Sequence, residues 1–569
     1  MKYSKNSFFS DNIFSNKKIL ILAPHEDDEI NIAGDLPSVF ISNNCEVYFV
    51  FSTNGDYFPN ISADVRIKEA LKSADYFGVP RDNVYFLGYG DRWNTEYGHL
   101  YNAPDMQLLV SHIGKTKTYG GKYCEDYHYK KYGNHADYSK SSFFGDLYDV
   151  INDIKADVIF TIDYDTHPDH IALSSTFEEV IHKLILEQNY RPLVLKTFAY
   201  DTCFYGIRDY SSLNPQPTLQ PTAACEDSNS TEESVFPSYQ WNRRLRVPMC
   251  NNTLTNNIFN SYLYKALKCH KSQLDARHFA GRIINSDKVF WERRTDSILY
   301  TSNISVTSGN GSYLTDFKIV DSDNILAFED KQSRSFFNNC SWIPDEMDTD
   351  RCCRFELKNP ETISQIVIYE NPSPDSYINS VSVSFDNGFS QTFELSYHDG
   401  SANYLSFPEQ SNINNICIKI LSYSGKNPGL SEVEAYSTLD TSSLSSELVV
   451  KITANGNFVY DYYQTKDLSD IFSVYTYPLK TLTKDDYIVT TDNNNAIINF
   501  ISDSTFVIKG THKKCTLTVR LSDNPNVYDQ ILLQKTGTLK KLFVILVKHT
   551  ESILWLKYRI ISKIKRLFT

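Results

Sequence analysis

KILILAPHEDDE, residues 18–29, carries an unbroken apolar run straight into an imidazole and four carboxylates. The run is too short for a buried helix and stops at a proline, which is the pattern of a strand covered on both faces. The same pattern returns as EVYFVFSTNG (46–55), NVYFLGYG (83–90) and ADVIFTIDYD (156–165), with helix-like stretches at Ala63 to Phe77 and Ile171 to Gln188 between them. Strands alternating with helices predict an α/β, Rossmann-like, doubly wound domain over residues 1–290. Ligands of such sheets bind beyond the carboxyl ends of the strands. Two polar motifs lie there, Pro24-His25-Glu26-Asp27-Asp28-Glu29 and His167-Pro168-Asp169-His170.

The whole chain, at 569 residues, exceeds what one hydrophobic core organises, so several domains are expected. After about residue 301 the texture changes to short alternating runs such as RFELKN, ISQIVIYE and SVSVSFDN, separated by Asn, Asp, Gly, Ser and Pro. Period-two alternation predicts one β-sandwich at residues 300–437 and a second, Ig-like, at 445–536. Residues 211–238, rich in Pro, Ser and Thr, read as a long loop beside the site, and Asn260 to Phe279 as a helix closing the first domain.

The formal charge of −13 excludes a general nucleic-acid binder, which needs a basic surface. It hides an asymmetry, because residues 540–569 are +7 and the rest −20. Ile553, Leu556, Ile560, Ile564 and Leu567 share one helical face of that tail. Residues 539–569 are therefore expected to form a basic amphipathic helix lying peripherally on an anionic membrane leaflet, the alternative being a terminal helix packed on the third domain with its cations solvated. Eleven cysteines with no C-x-x-C pair suggest neither a thiolate zinc site nor a disulfide framework. With no signal-like apolar run before Ile19, the expected location is cytoplasmic, on the inner face of the cell membrane.

Four carboxylates delivered to the end of a buried strand would repel one another at high cost unless a cation offset them. A hydrolytic zinc needs about three N or O ligands and one open position. His25 and Asp28, three apart, and His167 and His170, three apart on another loop, supply that chemistry.

These residues resemble the zinc-dependent de-N-acetylases of the PIG-L/LmbE type, whose signatures are (A/P)-H-P-D-D-E and H-P-D-H. The second is intact here, while the first carries Glu26 where the family usually has Pro. The likeness extends to Thr53-Asn54-Gly55, to Arg66-x-x-Glu69-Ala70 with Phe77-Gly78-Val79, and to His270-x-Ser272-Gln273. It implies Zn2+ held by His25, Asp28 and His170, with Asp27 as general base. It further implies protonated His167 at the developing oxyanion, oriented by Asp169. Arg66 is expected either to contact a substrate phosphate or sugar hydroxyl, or to pair with Glu69 along its helix. His99, His112, His128, His135 and His270 read as ordinary surface or core histidines, with a substrate role as the alternative for His270.

Residues 301–437 resemble the discoidin-type, galactose-binding-like sandwich through Phe355-Glu356-Leu357, Ile363, Ile366, Ile368-Tyr369 and the ending GLSEVEAY (429–436). That implies glycan binding, with Trp342 and nearby aromatics available to stack on sugars; a structural spacer is the alternative. The expected function is hydrolysis of the N-acetyl group of a GlcNAc-type amino sugar on a lipid-linked or polymeric precursor. The alternatives are a deacetylase of a soluble thiol-sugar or nucleotide sugar, and an inactive carbohydrate-binding protein.

Overall fold

The structure, a computed structural model, describes residues 14–57, 62–91, 97–163, 167–197, 245–247, 262–273, 288–319, 340–371, 373, 376–398, 400, 402–438, 447–454, 457–458, 471–477, 481–510, 515–523 and 528–533. The expected loop at 211–238 and tail helix at 539–569 lie outside them, as do residues 1–13. No described helix is long and apolar enough to cross a membrane.

The first domain is a mixed, mainly parallel sheet with helices. Its elements are β1 (Lys18–Ala23), α1 (Asp28–Ala33), α2 (Leu36–Ser42), β2 (Glu46–Thr53), α3 (Ala63–Phe77), β3 (Val84–Tyr89), α4 (Tyr127–Tyr132), α5 (Lys140–Ile154), β4 (Val158–Ile162), α6 (Pro168–Gln188), β5 (Leu193–Thr197), β6 (Leu245–Val247), α7 (Tyr262–Leu267) and β7 (Lys288–Arg293). The sheet order is β3-β2-β1-β4-β5-β7-β6, parallel through β5 and antiparallel at its last two strands. Every residue of β1 after Lys18 is buried, as is all of β4, which explains their uninterrupted apolar sequence. Of the predicted helix at 260–279 the described part is α7 and the turn after it, with 274–279 outside the described residues.

The position of the site follows from this order. The chain runs outward from β1 to β3 on one side and from β4 to β5 on the other, so β1 and β4 are neighbours, with Leu22 opposite Thr161. Their carboxyl ends flank the switch point where such sheets open a crevice. Pro24, which has no amide hydrogen, follows β1, and Pro168 occupies the first turn of α6, where a missing N–H costs nothing. Beneath α6, the fully buried Lys196 ammonium donates to Glu178 (2.7 Å) and pairs with Asp163 (2.9 Å), tying that helix to β4 and β5.

Lys288 fastens the other motif. Its buried Nζ donates to the backbone carbonyls of Ile30 (3.3 Å) and Asn31 (3.1 Å) at the end of α1. Burial lowers this ammonium from 10.5 to about 8. Because the folded state disfavours the proton, the unfolded chain binds more protons between those values, and stability rises with pH there. Lys288→Met should therefore remove a gain of about 3 kcal/mol between roughly pH 8 and 10.5. Denaturant titrations of both proteins across that range check it, and parallel pH slopes would refute it.

Antiparallel sheets follow. β8 (Asn303–Val306), β9 (Cys352–Glu370), β10 (Tyr377–Phe385), β11 (Ser390–Glu394), β12 (Ala402–Ser424) and β13 (Leu430–Tyr436) pair in the order β11-β10-β12-β9-β13, with β8 beside β9. The long strands β9 and β12 lose regular register between Ser406 and Asn415, the kind of irregularity that lets a sheet fold over its own core. That core includes Phe355, Ile366, Ile416 and Trp342. The last position corrects an expectation, because Trp342 is fully buried and its indole donates to the Ser308 carbonyl (2.7 Å). It packs the sandwich and is not available to stack on a sugar. Further antiparallel sheets between Glu447 and Leu533 enclose a separate core around Phe472, Phe506 and Leu517.

The first domain and the sandwich share a seam. Ile171, the residue after His170, packs with Ile319, Val367, Tyr369, Ala402 and Tyr436. Beside it the buried Arg293 guanidinium donates to Glu434, which also accepts from Tyr300 (3.0 Å), Tyr436 (2.7 Å) and Tyr369 (3.4 Å). Lys318, just outside the sandwich strands, pairs with Glu179 on α6 (2.7 Å).

Candidate metal centre

Three donor atoms from the two motifs converge between β1 and β4. His25 Nδ1 lies 3.1 Å from Asp28 Oδ2, His170 Nε2 lies 3.3 Å from the same oxygen, and the two nitrogens are 3.2 Å apart. His170 and Asp28 are fully buried and His25 nearly so. Ligands about 2.0–2.1 Å from a tetrahedral zinc stand about 3.3 Å from one another, so this nearly equilateral triangle fits one face of such a site. The charges fit as well. Burial opposes ionisation of His25, yet the carboxylates of Asp91, Asp169 and Asp28 hold its imidazole well above the usual range. Asp28 is likewise opposed by burial but held well below the carboxylate range by His170 and His25. A place that draws in a proton so strongly also suits a cation.

His25 and Asp28 are aimed by neighbours. Asp28 Oδ1 accepts from Asn31 Nδ2 (2.9 Å) and Oδ2 from the His25 amide (3.2 Å). The far nitrogen of His25, Nε2, faces Asp169 Oδ2 (3.3 Å) and Asp91 Oδ1 (3.9 Å). A ring nitrogen that donates to a carboxylate leaves its partner nitrogen bare for a metal.

Asp27 has φ 148° and ψ −17°, a backbone conformation that L-residues rarely adopt. Strain of this kind persists where the surroundings over-determine it, and here Arg66 holds the Asp27 carboxylate. Burial raises the Asp27 carboxyl to about 6, against the opposing pull of Arg66.

Arg66 pairs with two residues of the first motif. It is buried, with Nη2 donating to Asp27 Oδ1 (3.1 Å) and Nε to Glu26 Oε2 (3.4 Å). Glu69 instead accepts from the Ser272 amide (2.9 Å) and hydroxyl (2.6 Å). Arg66 is thus a residue that holds the Asp27 carboxylate, its guanidinium packed where Gly55, at φ 56°, leaves no room for a Cβ. Glu26, standing in place of the family proline, is completely buried as the second partner of that guanidinium. Burial raises its carboxyl to about 8.

His167 caps α6, its Nδ1 accepting from the Asp169 amide (3.2 Å), so a neutral ring carries its hydrogen on Nε2. The Asp169 carboxylate is nearer to His25 (3.3 Å) than to His167 (3.9 Å). Burial, reinforced by His25 and His170, pushes His167 well below its usual range. The His167 ring is thus oriented by a backbone N–H, with the Asp169 carboxylate farther off.

His270 is a buried histidine, its Nε2 2.7 Å from Glu29 Oε1, which also accepts from Ser73 (2.6 Å). The sequence reading missed Asp91 and Asp56. Asp56 accepts from the Asp91 amide (2.8 Å) and from the Tyr119 hydroxyl, and burial raises Asp91 to about 6. A signal existed, since Gly55-Asp56 and Gly90-Asp91 repeat one dipeptide just beyond two successive parallel strands.

Fold and site together define an α/β domain with a carboxylate–imidazole centre suited to a divalent cation at its topological switch point. Residues 20–181 are a PIG-L family domain, matching the model described as GlcNAc-PI de-N-acetylase. Residues 337–436 match a domain of unknown function, DUF7402. No curated protein matches the chain. Among solved structures, the chain is similar to an N,N'-diacetylchitobiose deacetylase from Pyrococcus horikoshii at 19% identity and a TM-score of 0.22, over 33% of this chain and 62% of that one. It is also similar to a family 32 carbohydrate-binding module of C. perfringens NanJ in complex with galactose, at 16% identity and a TM-score of 0.18, over 24% of this chain and 92% of the module.

Proposed function

We propose that the first domain is a zinc-dependent de-N-acetylase that hydrolyses the acetamide of an N-acetylglucosamine-type sugar. The observation that carries this is the donor triangle of His25, Asp28 and His170 beside Asp27 and His167, inside a PIG-L domain. A divalent ion held by those three residues would polarise the substrate carbonyl and lower the pKa of water to about 7.

The chain's own groups do the rest. Asp27, steadied by Arg66, takes the proton of the attacking water. His167 offers its Nε2 hydrogen to the carbonyl oxygen as negative charge develops there. Asp27 then returns its proton to the departing amine nitrogen. Asp169 and Asp91 hold His25 by its far nitrogen throughout.

The +7 charge of residues 540–569 favours a lipid-linked substrate at the cytoplasmic side of a membrane. The sandwich would then add glycan binding. Elemental analysis of the purified full chain, with an amine-release panel of N-acetylglucosamine, a nucleotide-linked form and GlcNAc-phosphatidylinositol in vesicles, tests the proposal. Stoichiometric zinc and chelator-sensitive release, highest on the lipid-linked sugar, is the expected result. Release only from soluble sugars would overturn the lipid assignment. Zinc-loaded protein releasing no amine from any of them would overturn the activity.

A further inference from the structure

Two thiols of the sandwich, outside the site chemistry, meet each other. Cys352 opens β9 and Cys417 lies in β12, and their sulfurs are 2.8 Å apart, closer than non-bonded sulfur atoms sit. The register explains the meeting. Cys352 stands opposite Lys419 and Arg354 opposite Cys417, so the thiols are diagonal neighbours across one antiparallel pair, on the same face. Cys353 and Ile418, the next residue on each strand, are fully buried on the core face.

We propose that Cys352 and Cys417 are a redox-active pair that closes to a disulfide across β9 and β12. Bringing the sulfurs to a bonded separation of about 2.0 Å needs less than an ångström of side-chain movement. Their exposure divides the roles, since Cys352 is 1% exposed while Cys417 is only partly covered. Cys417 is the sulfur an outside reagent reaches. Hydrogen bonding from Cys352 lowers its thiol to about 6; burial opposes this, while the Arg354 cation and Ser384 on β10 assist. Thiolate character of this kind marks a reactive cysteine.

The oxidant is a low-molecular-weight disulfide such as oxidised glutathione. The Cys417 thiolate attacks one of its sulfurs, forming a mixed disulfide and releasing one small thiolate. Cys352 gives up its proton, and its sulfur attacks that of Cys417 and expels the second small thiolate. Two protein thiols are oxidised and the reagent is reduced to two thiols. The bond joins strands far apart in sequence, which restricts the unfolded chain and stabilises the sandwich.

The test uses the full chain, incubated under native conditions with oxidised glutathione or with dithiothreitol, then alkylated and mapped by mass spectrometry. The expected result is a Cys352–Cys417 linked peptide, two fewer alkylated thiols and a thermal unfolding midpoint higher by several degrees, all reversed by dithiothreitol. Cys353→Ser should keep every one of these changes. Cys352→Ser should stop at a glutathione adduct on Cys417, and Cys417→Ser should give neither adduct nor cross-link. An unchanged thiol count after oxidant, or a link from Cys417 to Cys353, would overturn the proposal.

Discussion

Asp27→Asn is expected to leave metal content unchanged while lowering turnover by about 10² to 10⁴, the range that a positioned general base supplies. The expectation rests on geometry. Asp27 neighbours two proposed ligands in sequence, but its carboxylate is engaged by Arg66 at 3.1 Å, outside the triangle of His25, Asp28 and His170. Asparagine suits the test better than alanine, because it tolerates a positive φ more readily and keeps an oxygen for Arg66. His25→Ala should behave in the opposite order, losing the metal first and turnover with it. Elemental analysis beside the amine-release assay separates the two. Full turnover in the Asp27 variant would remove it as the base, and a zinc-replete His25 variant would break the ligand assignment.

The second large effect is on stability. Glu434→Ala should cost about 3–5 kcal/mol, because it takes from a buried guanidinium the carboxylate it donates to and leaves it Glu432, at 3.8 Å. Arg293 closes the first domain's sheet, Glu434 lies in the last strand of the sandwich, and the hydroxyls of Tyr300, Tyr369 and Tyr436 converge on the same carboxylate. The loss should reach the metal centre as well, since Ile171, packed in the same seam, follows His170 directly. Equilibrium unfolding of the full chain, with zinc retention followed through the transition, measures both. A change below about 1 kcal/mol, the scale of an exposed ion pair, would show that the seam does not brace the domain.

This seam marks where reading the residues stops. Arg293, Glu434 and Tyr300 are an ordinary cation, anion and phenol in the sequence, spread over two domains. Nothing local to any of them announces a shared buried network. Lys288 is similar, because its role depends on α1 ending beside a strand more than 250 residues later.

The doubly wound sheet, by contrast, was legible in KILILAPHEDDE and its repeats, because burial on both faces leaves a strand no polar positions. The sandwich was legible because burial on one face imposes period two. The donor residues were legible too, since side-chain chemistry limits what an imidazole and a carboxylate at strand ends can do together. Tertiary structure alone decided the orientation of those groups. Whether Arg66 turned to Glu69 or to Asp27, and whether Asp169 held His167 or His25, depended on the approach of β1 to β4 and the close pass of Gly55. Residue type and spacing determine which chemistry a chain can perform. Partnership is set by distances between segments remote in sequence, and those exist only once the sheet has ordered its strands.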